Sequence, residues 1–346
     1  MEYFVEKYSK NQFWNKVALM SLLCSLLILT MHTINNVMGK YELSPVSDGI
    51  LDFIHWITHN AVKLFWMLSA VLFYRDYTYS LTVKKYKSRF KSLVVPYLSW
   101  NLLSMLFTWF IYCVPSLRSM VNGYELFYPS CDNIVMGLFH HKYNIIFWFI
   151  FELIILIAAA PLIFTLLKNK YIGIISILLF YVCAPTIFKE SSLIRGGESW
   201  SFYLIAAYMG IHYFDLCMTK SKKHVAVISI LLLLVFNFLQ MQFFTYRLAS
   251  DLITIISVCL IWWGGDLLLP LFKKWMIGIS MFIYAVHFNI DMVVSKIIVR
   301  IIPDIPEISF LVFALAWITT VVLSISIALT VKKYIPKLYS LLNGGR

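Results

Sequence analysis

Charge is what this sequence has least of: Asp, Glu, Lys and Arg make up 13% of its 346 residues, where a soluble globular domain carries about a quarter. With 61% of the chain hydrophobic, a soluble fold is excluded. Acids are scarcer than bases, 17 against 29, which leaves a net charge of +12. Other expected features are absent too. The six cysteines (Cys24, Cys113, Cys131, Cys183, Cys217, Cys259) have no C-x-x-C spacing, so neither a disulfide framework nor a zinc site is expected. No G-x-x-x-x-G-K-[ST] run occurs, which removes the usual cradle for ATP hydrolysis. There is no internal repeat, low-complexity linker or soluble domain. Met1–Lys16 is polar and the apolar run after it is long enough to span, so no cleavable leader is expected.

What the sequence has instead is apolar runs of about twenty residues from end to end. Ten candidate spans can be drawn, at about 17–38, 51–74, 92–114, 144–167, 171–187, 199–216, 224–242, 248–268, 275–298 and 308–331. The expected fold is therefore an all-α, polytopic transmembrane helical bundle forming one integral-membrane domain over 1–346. Ten is even, so both termini share a side. Of the 29 Lys and Arg residues, 20 fall in the terminal segments and even-numbered loops, 8 on the other side, and Lys63 inside a span. This bias puts both termini in the cytosol. The basic excess thus reports orientation, and no nucleic-acid partner is expected. The longest gap, Pro115–Tyr143, should form a partly ordered outer cap.

Polar side chains within such spans are functional candidates, because burying them in hydrocarbon is costly. At about 1.5 Å per residue, His32 lies roughly 22 Å above the cytosolic face, and His287 and Glu152 each roughly 18 Å. Three titratable groups on three helices share a level. Ser21, Ser25, His32, Asn35 and Asn36 fall near one stripe of the first span, and Ser280, Tyr284, His287 and Asp291 near one stripe of the ninth. His32, Glu152 and His287 are the catalytic candidates: a neutral imidazole can take a proton from a hydroxyl, and a carboxylate beside it can fix the tautomer. The alternative is that each is a hydrogen-bonded packing residue. Asn35, Asn36, Lys63, Ser69 and Tyr284 are candidates to line a substrate cavity. Asp52, His55, His59 and Lys63 share one face of the second span, with Lys63 expected to pair with a carboxylate such as Glu152. Two histidines there without a third ligand do not make a metal site.

Between the second and third spans, Arg75, Lys84, Lys85, Lys87, Arg89 and Lys91 face only Asp76. This is either the strongest topological anchor in the chain or a cytosolic anion site, with Lys84, Lys85, Arg89 and Lys91 holding a phosphorylated donor.

Arg89-Phe-Lys-Ser-Leu93-Val-Val-Pro96-Tyr97-Leu-Ser-Trp100 resembles the Arg-x-x-x-Leu-x-x-Pro-Tyr-x-x-Trp run of the membrane acyltransferase 3 family. Phe65-Trp66-Met67-Leu68-Ser69-Ala70-Val71-Leu72 is similar to that family's Phe-Phe-x-x-Ser-Gly-x-Leu, Phe147–Leu153 to its Trp-Phe-x-Arg-Asp-Leu, and Ile283-Tyr284-Ala285-Val286-His287 to its Phe-x-Ile-Tyr-x-x-His. Met31-His32-Thr33 matches the place of the family's first-span base. Ser21, Lys63, Ala70 and Phe151 depart from the family pattern. The resemblance implies a multi-pass protein of the bacterial inner (plasma) membrane. It would move an acyl group, most simply acetyl, from cytosolic acyl-CoA to a hydroxyl of a surface polysaccharide or lipid-linked glycan precursor. Acetyl-CoA would be a donor substrate and not a resident cofactor. The partners would be acyl-CoA, the glycan acceptor and membrane lipid, with oligomeric state undetermined. Two other readings are open: a transporter or flippase of glycan intermediates, and an inactive relative serving as a subunit of an export complex.

Overall fold

The computed structural model describes residues 5–120, 126–191, 193–243 and 245–345. After strand β1 (Val5–Lys7) come helices α1 (Lys10–Met38), α2 (Pro45–Thr58), α3 (Asn60–Tyr74), α4 (Thr82–Arg89), α5 (Val95–Cys113), α6 (Pro115–Met120) and α7 (Cys131–Phe139). Next are α8 (Trp148–Ala158), α9 (Ala160–Leu167), α10 (Lys170–Phe188), α11 (Trp200–His212), α12 (Phe214–Cys217) and strand β2 (Thr219–Ser221). The chain ends with α13 (Lys223–Phe243), α14 (Arg247–Gly264), α15 (Ser280–Ile301), α16 (Ser309–Tyr334) and α17 (Pro336–Leu342). Apart from the antiparallel β1–β2 pair, the regular structure among the described residues is helical, as expected.

Among the described residues, seven helices are long and apolar enough to cross a membrane, and the bent pair α8–α9 makes an eighth if read as one span. All ten expected segments are helical, yet three are not single long helices, each for a local reason. The segment 51–74 breaks between α2 and α3 without Pro or Gly. There, three consecutive side chains bond backbone carbonyls: Thr58 Oγ1 donates to His55 O (2.6 Å), His59 Nδ1 meets the same oxygen (2.9 Å), and Asn60 Nδ2 donates to Ile57 O (3.1 Å). Such bonds compete with the helical ladder. The segment 144–167 bends by 63° ahead of Pro161, which cannot donate to that ladder. In 199–216, α11 has only 13 residues, about 20 Å of helix against a hydrocarbon core of about 30 Å. The basic stretch is likewise helical: α4 runs through a π-helical turn, Phe90–Val94, into α5. The expected outer cap holds α6 and α7, and its stretch 121–125 lies outside the described residues.

The chain divides into two compact units. The first comprises Met1–Ser69 and Tyr213–Tyr334. In it α1, α15 and α16 pack mutually, α13 and α14 form a hairpin, and α2 lies against α1 and α13. Ile34, Val37, Leu51, Val312, Phe313 and Ala316 make a core where α1, α2 and α16 meet. The second comprises Ala70–His212 and Ile335–Arg346. There Gly210 of α11 lets the backbone of α3 come close, since a Cβ would stand 2.8 Å from Val71 O. Trp100 Nε1 of α5 donates to Leu342 O of α17 at 2.9 Å, which fastens the C-terminal helix.

Candidate active site

In the first unit, α1 and α15 are joined at two heights. Ser25 Oγ of α1 donates to Ser280 O at 2.9 Å, about two turns from His32 and His287 along their helices. Higher up, Asp291, fully buried, accepts from Thr33 Oγ1 (2.7 Å) and Asn36 Nδ2 (2.6 Å) of α1, Thr320 Oγ1 (3.3 Å) of α16 and Ser295 Oγ (3.4 Å) on its own helix. A buried carboxylate costs little only when its lone pairs are satisfied, and four donors from three helices do that. They also set the rotation of α1 against α15.

That rotation brings His32 and His287 face to face. Their ring centroids are 5.4 Å apart, with Phe288 edge-on to His32 at 5.1 Å and the Tyr284 ring 6.0 Å from His287. His287 is fully buried, and its Nδ1 lies 3.2 Å from Ile283 O. A carbonyl oxygen only accepts, so Nδ1 carries the proton and Nε2 keeps its lone pair in the neutral ring. Nε2 has no hydrogen-bond partner among the described residues. His32 is half-buried, so the pair is an imidazole base backed by a more enclosed one.

Of the other expected cavity residues, Asn36 joins the cluster through Asp291, Tyr284 through its ring, and Asn35 is exposed. Ser69 is half-buried at the last position of the unit. Lys63 is half-buried too; Glu152, its expected partner, has its oxygens taken by other donors, and the carboxylate whose field reaches Lys63 is Asp251, itself 3.7 Å from Arg247 Nε. The His55 and His59 rings stand 4.5 Å apart. Thr33, Thr320 and Asp251 were given no role by sequence reasoning. Asp291 was placed on the polar stripe of its span, one turn beyond His287, without a role of its own.

Glu152 belongs to the second unit, where it is fully buried with both oxygens occupied. Oε1 accepts the backbone N–H groups of Arg195 (2.7 Å) and Gly196 (2.8 Å), and Oε2 accepts Trp200 Nε1 (2.7 Å). Such a carboxylate ties the turn before α11 to α8. It holds structure more readily than it takes a proton. Beside that turn, Arg195 Nη2 donates to His140 O at 3.2 Å, and the next residue, His141, is buried against the Phe151 ring. Burial, with help from Arg195 and His140, lowers the His141 pKa to about 4.

The basic stretch, as a helix, sorts its cations by face. Lys85 and Arg89, four residues apart, turn toward the end of α3. Lys85 Nζ donates to Phe73 O and lies 5.2 Å from the Phe73 ring, with the Arg89 guanidinium 5.7 Å from it. With Leu72, Ser88 and Ser92 they line a cavity of about 340 Å³. Arg89 also lines an apolar cavity of about 230 Å³ with Tyr86, Leu93, Ile154 and Ile157. Lys84 and Lys91 are exposed and line neither. Ser88 and Ser92 were legible as i, i+4 neighbours only once the stretch was known to be helical.

A model of the Acyl_transf_3 family, described as an acyltransferase domain, matches residues 17–329. The chain belongs to that family. The match takes in the His32–His287 cluster, Glu152 and the cavity at Lys85 and Arg89, so each candidate lies within the acyltransferase domain. No curated protein and no solved structure matches the chain.

Proposed function

We propose that this multi-pass membrane acyltransferase is an O-acyltransferase of the bacterial inner membrane, with both termini in the cytosol. It takes an acyl group, most simply acetyl, from cytosolic acyl-CoA and passes it to a hydroxyl of a surface polysaccharide or lipid-linked glycan precursor. The observation that carries the reading is the imidazole pair: a ring nitrogen on His287 without a hydrogen-bond partner among the described residues, beside a half-buried His32, in an acyltransferase-family chain. Acyl transfer to a hydroxyl needs such a base. The acceptor oxygen attacks the thioester carbonyl as His32, supported by His287, takes its proton; the C–S bond breaks and the proton finishes on the departing thiol. Asp291 holds the two helices in register and does not touch the reacting atoms.

For the donor, Lys85 and Arg89 with the hydroxyls of Ser88 and Ser92 supply what a CoA phosphate needs: a point charge, a bidentate fork and two neutral donors. Lys84 and Lys91 then serve only topology. The test is release of free CoA from acetyl-CoA by purified protein in nanodiscs, alongside the mass of the surface glycan in cells with and without the chain. The reading predicts thiol release and a loss of 42 Da steps from the glycan, ~42 being the mass added by one acetyl group. Transport of glycan intermediates without thiol release would favour the flippase reading, and neither activity would favour an inactive subunit.

A further inference from the structure

At the other end of the first unit, a cavity of about 700 Å³ opens where β2 runs into α13. It falls in the size range of small-molecule sites. One side is cationic, with Lys220, Lys222 and Lys223, and the other apolar, with Leu269, Pro270 and Phe272. The nearest buried carboxylate, Asp266, does not compensate these lysines. It is engaged by Lys16 Nζ (2.9 Å), by Ser221 N and Oγ (2.8 Å each) and by the Tyr8 hydroxyl. That network fixes the floor of the cavity and balances Lys16. Glu6, which also lines the cavity, stands opposite Lys220 in the strand pair and offsets one of the three lysines; among the described residues no carboxylate forms an ion pair with Lys222 or Lys223. The N-terminal N–H groups of the 21-residue α13 add positive potential at the same place.

The apolar surroundings say what kind of anion fits. Four and eight residues beyond Lys223 on α13 are Val227 and Leu231, 41% and 57% exposed, so the face that begins with a lysine continues as an apolar track. On the opposite rim Leu271 is 63% exposed. A soluble phosphate ester gains nothing from such a track, whereas a phospholipid carries its acyl chains directly beside its phosphate. We propose that this cavity binds the phosphate of an anionic phospholipid, with the acyl chains lying along the Val227–Leu231 face of α13. The site is independent of the acyl-transfer reading.

The test is thermal unfolding of the full-length protein in neutral detergent, titrated separately with phosphatidylglycerol, phosphatidylcholine, inorganic phosphate and CoA. Phosphatidylglycerol should raise the midpoint saturably, and the other three should not. At roughly fivefold per lysine near a membrane surface, Lys220→Gln/Lys222→Gln/Lys223→Gln should weaken half-saturation on the order of a hundredfold. Lys222→Glu alone should weaken it at least about fivefold. Lys273→Gln/Lys274→Gln, which removes two exposed lysines that do not line the cavity, should leave it unchanged. An equal response to phosphatidylcholine overturns the proposal, as does an equal response to CoA or phosphate, which would make this a soluble phosphate-ester site. It is equally overturned if Lys222→Glu binds phosphatidylglycerol like the native protein, or if the Lys273/Lys274 variant loses as much as the triple variant.

Discussion

The histidine cluster of the first unit and the basic cavity of the second solve opposite problems with opposite materials. Around His32 and His287 the polar groups lie inside a helix bundle, and the one carboxylate among them, Asp291, is held by three hydroxyls and an amide rather than by a cation. Around Lys85 and Arg89 the polar groups are cations at a helix end, partly open to solvent, with no carboxylate among the described residues that line their cavity. The first arrangement fixes geometry and keeps a neutral base available. The second gathers cations near a single acid, Asp76, as the proposed anion site requires. Salt should therefore reach one and leave the other alone.

The largest effect is expected where geometry meets chemistry. His32→Ala and His287→Ala should each lower acyl transfer by roughly 10²-fold or more, the scale of a lost general base. The double variant should lose little beyond either single one, because the two rings act as a unit. Transfer rates measured beside unfolding midpoints check this. If the two losses multiply instead, the rings work separately.

Asp291→Ala strips four donors of their common acceptor and should destabilise the protein by about 2–4 kcal/mol, with Asp291→Asn less affected. Denaturant unfolding gives the difference. An Ala variant as stable as the native chain would mean that the carboxylate does not hold α1 to α15.

Arg89→Ala should weaken acetyl-CoA binding about tenfold at low salt, and the gap should narrow at 500 mM salt, where the Debye length falls below about 5 Å. Lys84→Ala, on the exposed face, should bind as the native protein does. Calorimetry at both salt levels separates a donor site from a topological anchor.

The smallest effect belongs to His141. Its folded pKa of about 4 lies below the ordinary 6.5, so as pH falls the unfolded chain takes up the proton first. Stability from this residue is full above 6.5 and is lost between about 6.5 and 4. His141→Gln should flatten that part of the stability curve, which midpoints measured at intervals from pH 7 to pH 4 would reveal.

Much of the helical framework was legible, because spans of apolar residues admit no other regular structure in a membrane. The polar stripes of α1 and α15 were legible as well, since periodicity assigns His32, Asn36, Tyr284 and His287 to one face of each helix. Pairings across the chain were not. Lys63 and Asp251, the acid whose field reaches it, are separated by 188 positions, and nothing local tells a lysine which acid will come near it. Glu152 looked like a third catalytic group because depth was the only coordinate available. Its real partners are two backbone N–H groups and an indole, donors that a sequence does not advertise. The break at His59 escaped notice for a similar reason: it comes from three side chains bonding carbonyls, with no Pro or Gly to mark it.

The central claim is that the imidazole pair supplies the base and the basic cavity only binds the donor. It is tested most directly by transfer of labelled acetyl from acetyl-CoA to purified glycan acceptor, at saturating donor, with reconstituted native, His287→Ala and Arg89→Ala proteins. The account predicts that His287→Ala stays at least about 10²-fold slow at saturation while Arg89→Ala recovers nearly the native rate. A His287→Ala protein that transfers at the native rate, or an Arg89→Ala protein that no donor concentration rescues, would contradict it.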